Sequence, residues 1–568
     1  TGRSSARVVH VLAAPMLAVG GAAALASLAR PAVGGLTRLL TPVDRAVHRR
    51  AGRSAFHPVW IAGGTLAVAS GLLALAWTAS IRPHVGHIDL GFLPQGIVWL
   101  TTLGLAPLGW AALGARRRAR AAALAVAAVL VLTAMGAAIW LRYQRPLVML
   151  SIWGDSQLTG FAIDRLYDIE ELRGELNLAF VAPQARPGAP HHDIVLITVD
   201  TLRADRTPAY GGPARMPALA TLGQQAAVFE WAFSPGNVTR RSLPSMAIGV
   251  TAPRLRGRVA GWALKLDPRH ILLAERLRAG GYDTAGFFCC TSQFGAEHKL
   301  GLIRGIEHVE IDKDSEELAR RAAAWLAARE QRAHAGSQRR PMFVWFHFIE
   351  PHGWQKAHPR SAEVRTNRQR YDLTLADVDV AIGAVLDQFW RPPTRRDRTY
   401  LILTSDHGEA LGDHGHRTHA SSLYSAETHV PLLVAGPGIA PRRIGRTVGL
   451  HDLAPTLLDL AGFVPPGLPA MDGVSLAPVA RGEAPGERDT GEAYMAMIED
   501  RSVSTERRAI VVGRHKLIWR TGSSEVELYD LARDPGEMND LAATRPELVE
   551  QLRARLEARR ALDHVDPF

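Results

Sequence analysis

The sequence predicts a chain in two parts: an N-terminal transmembrane α-helical bundle over residues 1–145, then an α/β domain with a mostly parallel central sheet and a small C-terminal subdomain. Three observations lead to this prediction. The chain has 568 residues, a length typical of about two to four domains. Long apolar stretches without charged residues are confined to its first quarter. Beyond them, short apolar runs alternate with helical patterns, which is typical of an α/β fold.

The N-terminal part contains four apolar stretches, each long enough to cross a hydrocarbon core of about 30 Å as a helix. These predicted spans are Val8–Ala29, Pro58–Ser80, Leu93–Gly114 and Ala121–Leu141. Apart from their margins they contain no Asp, Glu, Lys or Arg. Because transport pathways usually carry charged groups inside the membrane, the pattern argues against a channel or a pump and favours an anchor.

The arginines predict the orientation of these spans, because basic residues are retained on the cytoplasmic side. The first connection carries Arg30, Arg38, Arg45, Arg49, Arg50 and Arg53, and the third carries Arg116, Arg117, Arg118 and Arg120. We therefore expect a multi-pass protein of the cell (inner) membrane, with everything after residue 145 extracytoplasmic. Since Arg3 and Arg7 precede a first span that would start outside, we also expect a further upstream span or a processed leader.

Charge and cysteine content exclude other classes of protein. The chain has 66 Lys and Arg against 55 Asp and Glu, but the arginines cluster beside the predicted spans and no zinc-finger or RNP-like pattern accompanies them, so no nucleic-acid partner is expected. The two cysteines, Cys289 and Cys290, are neighbours and cannot staple distant segments. We expect two buried thiols beside a strand, since a bridge between adjacent residues is strained.

Residues 146–192 are predicted to be a connector, residues 193–500 the α/β domain, and residues 501–568 a C-terminal subdomain with a helix. The predicted buried strands are Ile194–Val199, Phe343–Phe348, Tyr400–Thr404 and Pro431–Ala435. The predicted helices between them include His270–Ala279, Ser315–Ala328 and Leu375–Phe389. Such alternation predicts a mostly parallel sheet whose ligands collect beyond the carboxyl ends of the strands.

Polar side chains follow three of these strands. Asp200 comes after the first, His352 after the second, and the pair Asp406 and His407 after the third. Each Asp taken alone is as well explained as a helix cap. Together they favour a site for a metal ion and an anion at one edge of the sheet.

Five segments in order resemble the sulfatase branch of the alkaline phosphatase superfamily, over roughly residues 193–545. They are IVLITVDTLRADRTPAYGG, RRSLPSMAIG, FVWFHFIEPHGW, LILTSDHGEALGDHG and KLIWRTGSSEVELYDLARDPGEMNDLA. The resemblance implies an alkaline-phosphatase-like domain that cleaves sulfate or phosphate esters with one divalent metal ion. It places Asp200, Asp406 and His407 at the metal-ligand positions.

The same resemblance assigns the remaining site residues. Ser242 falls at the position of the nucleophile, where it would form a covalent ester intermediate. His352 and His419 fall where groups that contact the ester or protonate the leaving group are expected, and Arg256 falls near a basic substrate contact. The ligand types suit Ca²⁺ or Mg²⁺, and the imidazole of His407 also suits Mn²⁺ or Zn²⁺.

The sequence also departs from the family pattern. Thr201 replaces a second metal-binding Asp, and Met246 replaces the Arg of the nucleophile motif. The first change leaves the expected metal site with one carboxylate fewer. Met246 and the absence of Cys from the motif argue against conversion of Ser242 to formylglycine, and an unmodified serine favours phosphoryl chemistry, because a sulfated plain serine has no easy hydrolytic release. Thr239 lies three residues before Ser242, but the Pro-Ser register selects Ser242.

Three functions follow from these patterns. The first is a membrane-anchored, metal-dependent, sulfatase-like hydrolase of sulfate or phosphate esters. The second is a transferase similar to the phosphoethanolamine and glycerol-phosphate transferases of bacterial envelopes, which would modify an envelope lipid or glycan. The third is a catalytically degenerate binding module. Retention of Asp200, Ser242, His352, Asp406 and His407 together argues against the third.

Overall fold

The computed structural model describes residues 182–564, apart from 261–262, 296–300, 335–338, 357, 361, 363 and 499–505. The four predicted membrane spans and most of the predicted connector lie outside the described residues. None of the helices in the described ranges combines the length and the apolar character needed to cross a bilayer.

The described residues form sixteen strands. In chain order they are β1 (Gln184–Ala185), β2 (Asp193–Val199), β3 (Ala227–Phe233), β4 (Gly257–Ala260), β5 (Ala263–Leu266), β6 (Asp283–Phe288), β7 (His308–Ile311), β8 (Met342–Phe348), β9 (Thr399–Ser405), β10 (Leu432–Ala435), β11 (Arg442–Gly449), β12 (Phe463–Val464), β13 (Glu492–Met497), β14 (Arg507–Val512), β15 (His515–Arg520) and β16 (Val526–Asp530).

Eleven α-helices are described between and after these strands. They are α1 (Pro217–Gly223), α2 (Thr239–Ile248), α3 (Leu273–Ala279), α4 (Thr291–Phe294), α5 (Ser315–His334), α6 (Asn367–Phe389), α7 (Pro393–Arg396), α8 (Ser425–Thr428), α9 (Leu453–Leu460), α10 (Ala477–Arg481) and α11 (Pro546–Ala561). The four predicted strands and the three predicted helices all correspond to observed elements, with ends shifted by up to eight residues.

The central sheet has eight strands in the order β11-β3-β10-β9-β2-β8-β6-β7. All pairs are parallel except those that β10 makes with β3 and with β9. Seven of the eight strands therefore point the same way, and the predicted mostly parallel sheet is confirmed. The antiparallel insertion of β10 makes the sheet mixed, a detail that its short apolar sequence does not reveal.

Helices cover both faces of this sheet, because its strands are apolar on both sides. Along β2, Ile194 and Leu196 belong to one buried cluster with α2, α3, α9 and α10. Val195, Ile197 and Val199 belong to the other, with α1, α5 and α6. Successive side chains of a strand point to opposite faces, so a continuous apolar run is required for a sheet that is buried twice.

A second sheet, β13-β14-β15-β16, is antiparallel throughout and forms the C-terminal subdomain. Helix α11 packs on it through Leu552 and Leu556. Because β13 belongs to this sheet, the subdomain begins before the predicted boundary at residue 501. At the other end, β1 pairs with β12, so the last residues of the predicted connector are already part of the domain.

The strand order decides which residues meet at the functional edge. Strands β9, β2, β8 and β6 are consecutive neighbours in the sheet and run parallel. Their carboxyl ends therefore bring together Asp406 and His407, Asp200, His352, and the Cys289–Cys290 pair at one edge. This is the edge at which parallel α/β sheets bind ligands.

Candidate metal centre and active site

Asp200, Asp406 and His407 form a compact buried cluster at this edge. Each offers a ligand atom that lies within 4.8 Å of the others. The Nε2 atom of His407 is 3.8 Å from Asp200 Oδ1 and 3.4 Å from Asp406 Oδ2. The predicted convergence of these three residues, which are far apart in the sequence, is therefore observed.

Backbone contacts fix the orientation of the cluster and leave its inner atoms bare. Asp406 Oδ1 accepts hydrogen bonds from the amides of His407 at 2.9 Å and Thr201 at 3.2 Å. His407 Nδ1 lies 2.9 Å from the carbonyl of Gly408, so Nδ1 carries the proton and Nε2 presents a lone pair to the cluster. Asp406 Oδ2 and Asp200 Oδ1 are buried and have no hydrogen-bond partner among the described residues.

These bare atoms fit a divalent cation. Burial and the neighbouring negative charge of Asp200 raise the pKa of Asp406. Burial, together with repulsion from the positive charge of His419, lowers the pKa of His407 to about 3. A cation between two carboxylates and a neutral imidazole would offset the repulsion and the desolvation that these shifts reflect. The oxygen and nitrogen donors are compatible with Mg²⁺, Ca²⁺, Mn²⁺ or Zn²⁺.

Thr201, next to Asp200, supports the cluster through its main chain rather than as a ligand. Its backbone is left-handed, with φ 61°, which is unfavourable for a β-branched residue and is tolerated where surrounding contacts enforce it. The Tyr371 hydroxyl donates to the Thr201 carbonyl at 2.6 Å. The turn aims the Thr201 amide at Asp406 Oδ1, so the main chain rather than the side chain of Thr201 supports the cluster.

The structure separates the two hydroxyl residues at the start of α2. Thr239 is the first residue of the helix, and its Oγ1 lies 3.1 Å from His407 Nε2. Ser242 is fully buried, and its hydroxyl donates to the main-chain carbonyl of Asp406 at 2.5 Å. Thr239 therefore faces the bare ligand atoms, whereas Ser242 holds the helix against the loop of Asp406. The role of Ser242 as nucleophile stays a prediction.

His419 lies beside the cluster, and its surroundings favour the protonated form of its ring. Its ring centroid is 4.5 Å from that of His407 and 5.1 Å from that of His352. Burial acts to lower its pKa, but the bond between its Nδ1 and Glu409 Oε2, at 3.2 Å, and the charge of Glu409 outweigh burial and raise the pKa to about 9. Trp354 Nε1 donates to the same Glu409 oxygen at 3.2 Å.

His352 also lies at this edge, on a 3₁₀ turn after β8 (Glu350–Gly353), and its side chain is exposed. Its ring neighbours His419 on the solvent side of the cluster. The structure therefore brings His352 and His419 together with the cluster of Asp200, Asp406 and His407. The catalytic roles of the two histidines stay predictions. His352 is exposed to solvent, whereas His419 is largely buried.

Arg256 does not join this site. Its guanidinium donates to the carbonyls of Pro253 and Asp563, each at 3.4 Å, and its amide donates to His270 Nε2 at 2.8 Å. These partners lie beside β4 and the C-terminal turn rather than beside the cluster. The predicted role of Arg256 as a substrate contact is therefore corrected to an interaction that ties the end of the chain to the domain.

Two features near the cluster were not expected from the sequence. His347, inside the apolar strand β8, is fully buried, and its Nε2 lies 3.8 Å from Asp200 Oδ2. A histidine in the run MFVWFHF is the signal that identifies it. Cys289 and Cys290 are joined by a disulfide bond, so the prediction of two free thiols is wrong for this structure.

Two family profiles match the domain that carries this site. The profile described as Sulfatase matches residues 192–463, and the profile described as N-sulphoglucosamine sulphohydrolase, C-terminal, matches residues 412–562. The domain belongs to the sulfatase family. This confirms the predicted membership in the sulfatase branch of the alkaline phosphatase superfamily, whose members bind a divalent metal ion.

Curated relatives of this sulfatase domain match part of it. Arylsulfatase K of Gallus gallus is 31% identical over 197 residues, which are 34% of this chain and 36% of the relative. Delta 4,5-hexuronate-2-O-sulfatase of Bacteroides thetaiotaomicron is 34% identical over 172 residues, 29% of this chain and 34% of the relative. The matched stretch thus spans about a third of each of these relatives' length.

The fold of the sulfatase domain also has solved counterparts. A 2-O GAG sulfatase matches with a TM-score of 0.55 and 20% sequence identity, over 66% of this chain and 93% of the other. At this identity the likeness concerns the fold. It extends over nearly the whole of the solved chain.

Proposed function

We propose that this sulfatase-family domain is a metal-dependent enzyme that cleaves an anionic ester through a covalent intermediate on Thr239, with a phosphate ester as the preferred substrate. The observation that carries the proposal is the 3.1 Å separation between Thr239 Oγ1 and His407 Nε2, beside the bare oxygens of Asp200 and Asp406. A hydroxyl in this position is next to the groups that could hold a cation and is accessible to a ligand.

Asp200, Asp406 and His407 would hold the divalent ion. When bound, such an ion neutralises the oxygens of a charged ester and lowers the pKa of a neighbouring hydroxyl. Helix α2 supports the same site, because Thr239 is its first residue and the free amides of a helix N-terminus favour an anion. The buried bond from Ser242 to the carbonyl of Asp406 fixes this helix end relative to the cluster.

His419 would supply the proton that the leaving group requires. Its hydrogen bond and ion pair with Glu409 keep the imidazolium form stable at neutral pH. Glu409 is held in turn by Trp354, so the orientation of His419 is determined by a chain of buried contacts. The exposed ring of His352 lies next to His419, where it can bind the ester and orient its departing oxygen.

The chemistry of threonine favours phosphate over sulfate. Formylglycine is an aldehyde formed at a CH₂ carbon, and the Cβ of Thr239 carries a methyl group, so oxidation there would give a ketone. An unmodified hydroxyl forms a phosphate ester that water or an alcohol can resolve. A sulfate ester on a plain hydroxyl has no comparably easy release.

The acceptor distinguishes hydrolysis from transfer. Resolution by water makes the domain a hydrolase, and resolution by an alcohol makes it a transferase of the phosphoethanolamine or glycerol-phosphate type. The predicted membrane spans and the extracytoplasmic location favour an envelope lipid or glycan as the acceptor. We propose this location together with the function, since the spans lie outside the described residues.

Sulfate ester hydrolysis is the second candidate. It is favoured by the relatives, which include a choline-sulfatase of Rhizobium meliloti that is 35% identical over 188 residues. In that case Ser242 would have to be modified and to leave its buried bond to Asp406. A degenerate binding module is a third outcome, and it predicts that no divalent ion binds to the cluster.

The test compares p-nitrophenyl phosphate, bis(p-nitrophenyl) phosphate and p-nitrophenyl sulfate with the purified full chain in the presence of Mg²⁺, Ca²⁺, Mn²⁺ or Zn²⁺. Turnover of a phosphate probe, with a mass increase of one phosphoryl group on the peptide that contains Thr239, supports the proposal. Turnover of the sulfate probe alone, with an aldehyde at Ser242, would overturn it.

A further inference from the structure

Cys289, Cys290 and His347 form a second group of potential metal ligands outside the cluster already described. The cysteines follow β6, and His347 belongs to the neighbouring strand β8. One ligand atom from each of the three lies within 4.8 Å of the others. Cys289 and His347 are buried, and Cys290 is half-buried at the edge of the sheet.

The hydrogen bonds around Thr198 determine which nitrogen of His347 carries a proton. The Thr198 hydroxyl donates to the carbonyl of Phe346 at 2.9 Å and accepts from Trp345 Nε1 at 2.9 Å. Its single proton is therefore used, and the 2.9 Å contact with His347 Nδ1 requires Nδ1 to be the donor. In the neutral ring, Nε2 is then a lone-pair donor, as in a metal-binding histidine.

His347 Nε2 is buried opposite a carboxylate oxygen. The atom is fully buried and has no hydrogen-bond partner in the described ranges. Across from it, at 3.8 Å, lies Asp200 Oδ2, the carboxylate oxygen that faces away from His407. A positive charge between this nitrogen and the carboxylate oxygen, supplied by a proton or by a bound cation, stabilises the two groups in their buried place.

The two sulfur atoms are the remaining donors, and the disulfide bond controls their availability. A dithiol reductant can break the bond between Cys289 and Cys290: it supplies two electrons and two protons, the two cysteines become thiols, and the reductant becomes a disulfide. Binding of a divalent cation by both thiolates then releases the two protons to solvent. The partial exposure of Cys290 gives the reductant access.

We propose that reduction of the Cys289–Cys290 bond creates a second metal site, in which the two thiolates and His347 Nε2 bind a thiophilic divalent cation such as Zn²⁺. Sulfur and imidazole donors select Zn²⁺ over Mg²⁺ and Ca²⁺, which prefer oxygen. The second site lies next to Asp200 Oδ2, and Asp200 also belongs to the first centre. The carboxylate of Asp200 is therefore a neighbour of both ions. The proposal does not depend on which ester the domain cleaves.

Cobalt spectroscopy tests this site directly, because these two cysteines are the only ones in the 568-residue chain. The purified full chain is reduced with a dithiol, freed of reductant and titrated with Co²⁺. A thiolate-to-cobalt charge-transfer band is expected in the reduced chain and not in the oxidised chain. Zinc analysis should show one additional Zn²⁺ per chain after reduction. A reduced wild-type chain without the band, or with the zinc content of the oxidised chain, would overturn the proposal.

Variants separate this site from the first centre. The double variant Cys289→Ser/Cys290→Ser should show neither the band nor the additional Zn²⁺, and His347→Ala should weaken Zn²⁺ binding by about tenfold or more. His358→Ala, at a histidine that pairs with Asp377, should leave both readouts unchanged. Asp406→Asn should remove the first ion and retain the thiolate band. An undiminished affinity in His347→Ala would contradict the assigned ligand set.

Discussion

Thr239 Oγ1 lies 3.1 Å from Nε2 of His407, at the first residue of α2 and beside the bare oxygens of the metal-ligand cluster. One turn further along the helix, the hydroxyl of Ser242 is fully buried and bonded to a main-chain carbonyl. Two hydroxyls that lie one turn apart on the same helix thus differ in their access to a ligand.

Thr239→Ala should reduce turnover by on the order of a thousandfold or more, because the variant loses the attacking hydroxyl. Ser242→Ala should retain most of the activity and lower the free energy of unfolding by about 1 kcal/mol, the usual worth of one hydrogen bond. Steady-state kinetics and denaturant unfolding measure the two effects. Thr239→Ser, which keeps a hydroxyl, is the matched control. The reverse ranking of the two alanine variants would restore Ser242 as the nucleophile.

Asp406→Asn and His407→Ala should lower metal occupancy and activity together, because each removes a ligand of one ion. In the wild type, saturation with the preferred divalent ion should raise the midpoint of thermal unfolding, since a ligand at a hundred times its Kd adds about 2.7 kcal/mol of stability. Metal analysis after dialysis checks the first effect. Asp377→Asn, at a carboxylate bound to His358 and Arg360, is the control. Full occupancy in both cluster variants would exclude the assigned ligands.

The pH dependence of turnover should report the protonation of His419. Burial opposes its charge, but Glu409 raises its pKa to about 9, so the proton is present below that pH and is lost as the pH rises through it. Activity that needs this proton should therefore decline as the pH rises through about 9. In Glu409→Gln the raising effect is removed while burial remains, and the declining limb should move to lower pH. An unmoved limb, with Glu525→Gln as the control, would mean that another group supplies the proton.

The C-terminal sheet contains a buried ion pair whose removal should destabilise the domain. Lys516 Nζ lies 2.9 Å from Glu537 Oε1, and the two side chains are 0% and 1% exposed. Glu537→Gln would leave the Lys516 ammonium buried without its counter-charge, at a loss of about 3–5 kcal/mol in the free energy of unfolding. The exposed pair of Arg520 and Glu525 offers a comparison, since Glu525→Gln should cost less than about 1 kcal/mol. Equal effects of both substitutions would contradict this difference.

Reporter fusions test the proposed topology. An alkaline phosphatase joined after residue 192 should be active in intact cells, because it requires an extracytoplasmic environment. A cytoplasmic reporter at the same position should be silent. The same pair of reporters placed after residue 118, in the third connection, should give the opposite result, because the arginines there predict a cytoplasmic loop. Identical behaviour at both positions would exclude the proposed arrangement.

Much of the fold could be predicted because its signals are local. Strands that are buried on both faces require continuous apolar runs, so β2, β8 and β9 are visible in the sequence, and the polar residues that follow them mark the edge where Asp200, Asp406 and His407 meet. The direction of β10 is not local information. It depends on pairing with β3 and β9, and nothing in the residues of β10 distinguishes the two directions.

The parts of the site that the sequence does not determine depend on the orientation of side chains rather than on their identity. Thr239 and Ser242 are separated by one helical turn, and only the position of α2 relative to Asp406 decides which hydroxyl is bare. Arg256 is near a family position in sequence, yet its guanidinium is directed to the carbonyls of Pro253 and Asp563. His347 was missed because a strand of apolar residues around it favours a buried structural side chain.

The left-handed backbone at Thr201 has a consequence for how such centres change in evolution. A peptide N–H is present in every amino acid except proline, so the bond to Asp406 would survive any replacement that tolerates this turn, glycine and asparagine included. Substitutions of this kind at position 201 should therefore have little effect on the orientation of Asp406. Only the side chains that would bind the ion itself, Asp200, Asp406 and His407, are then required by identity.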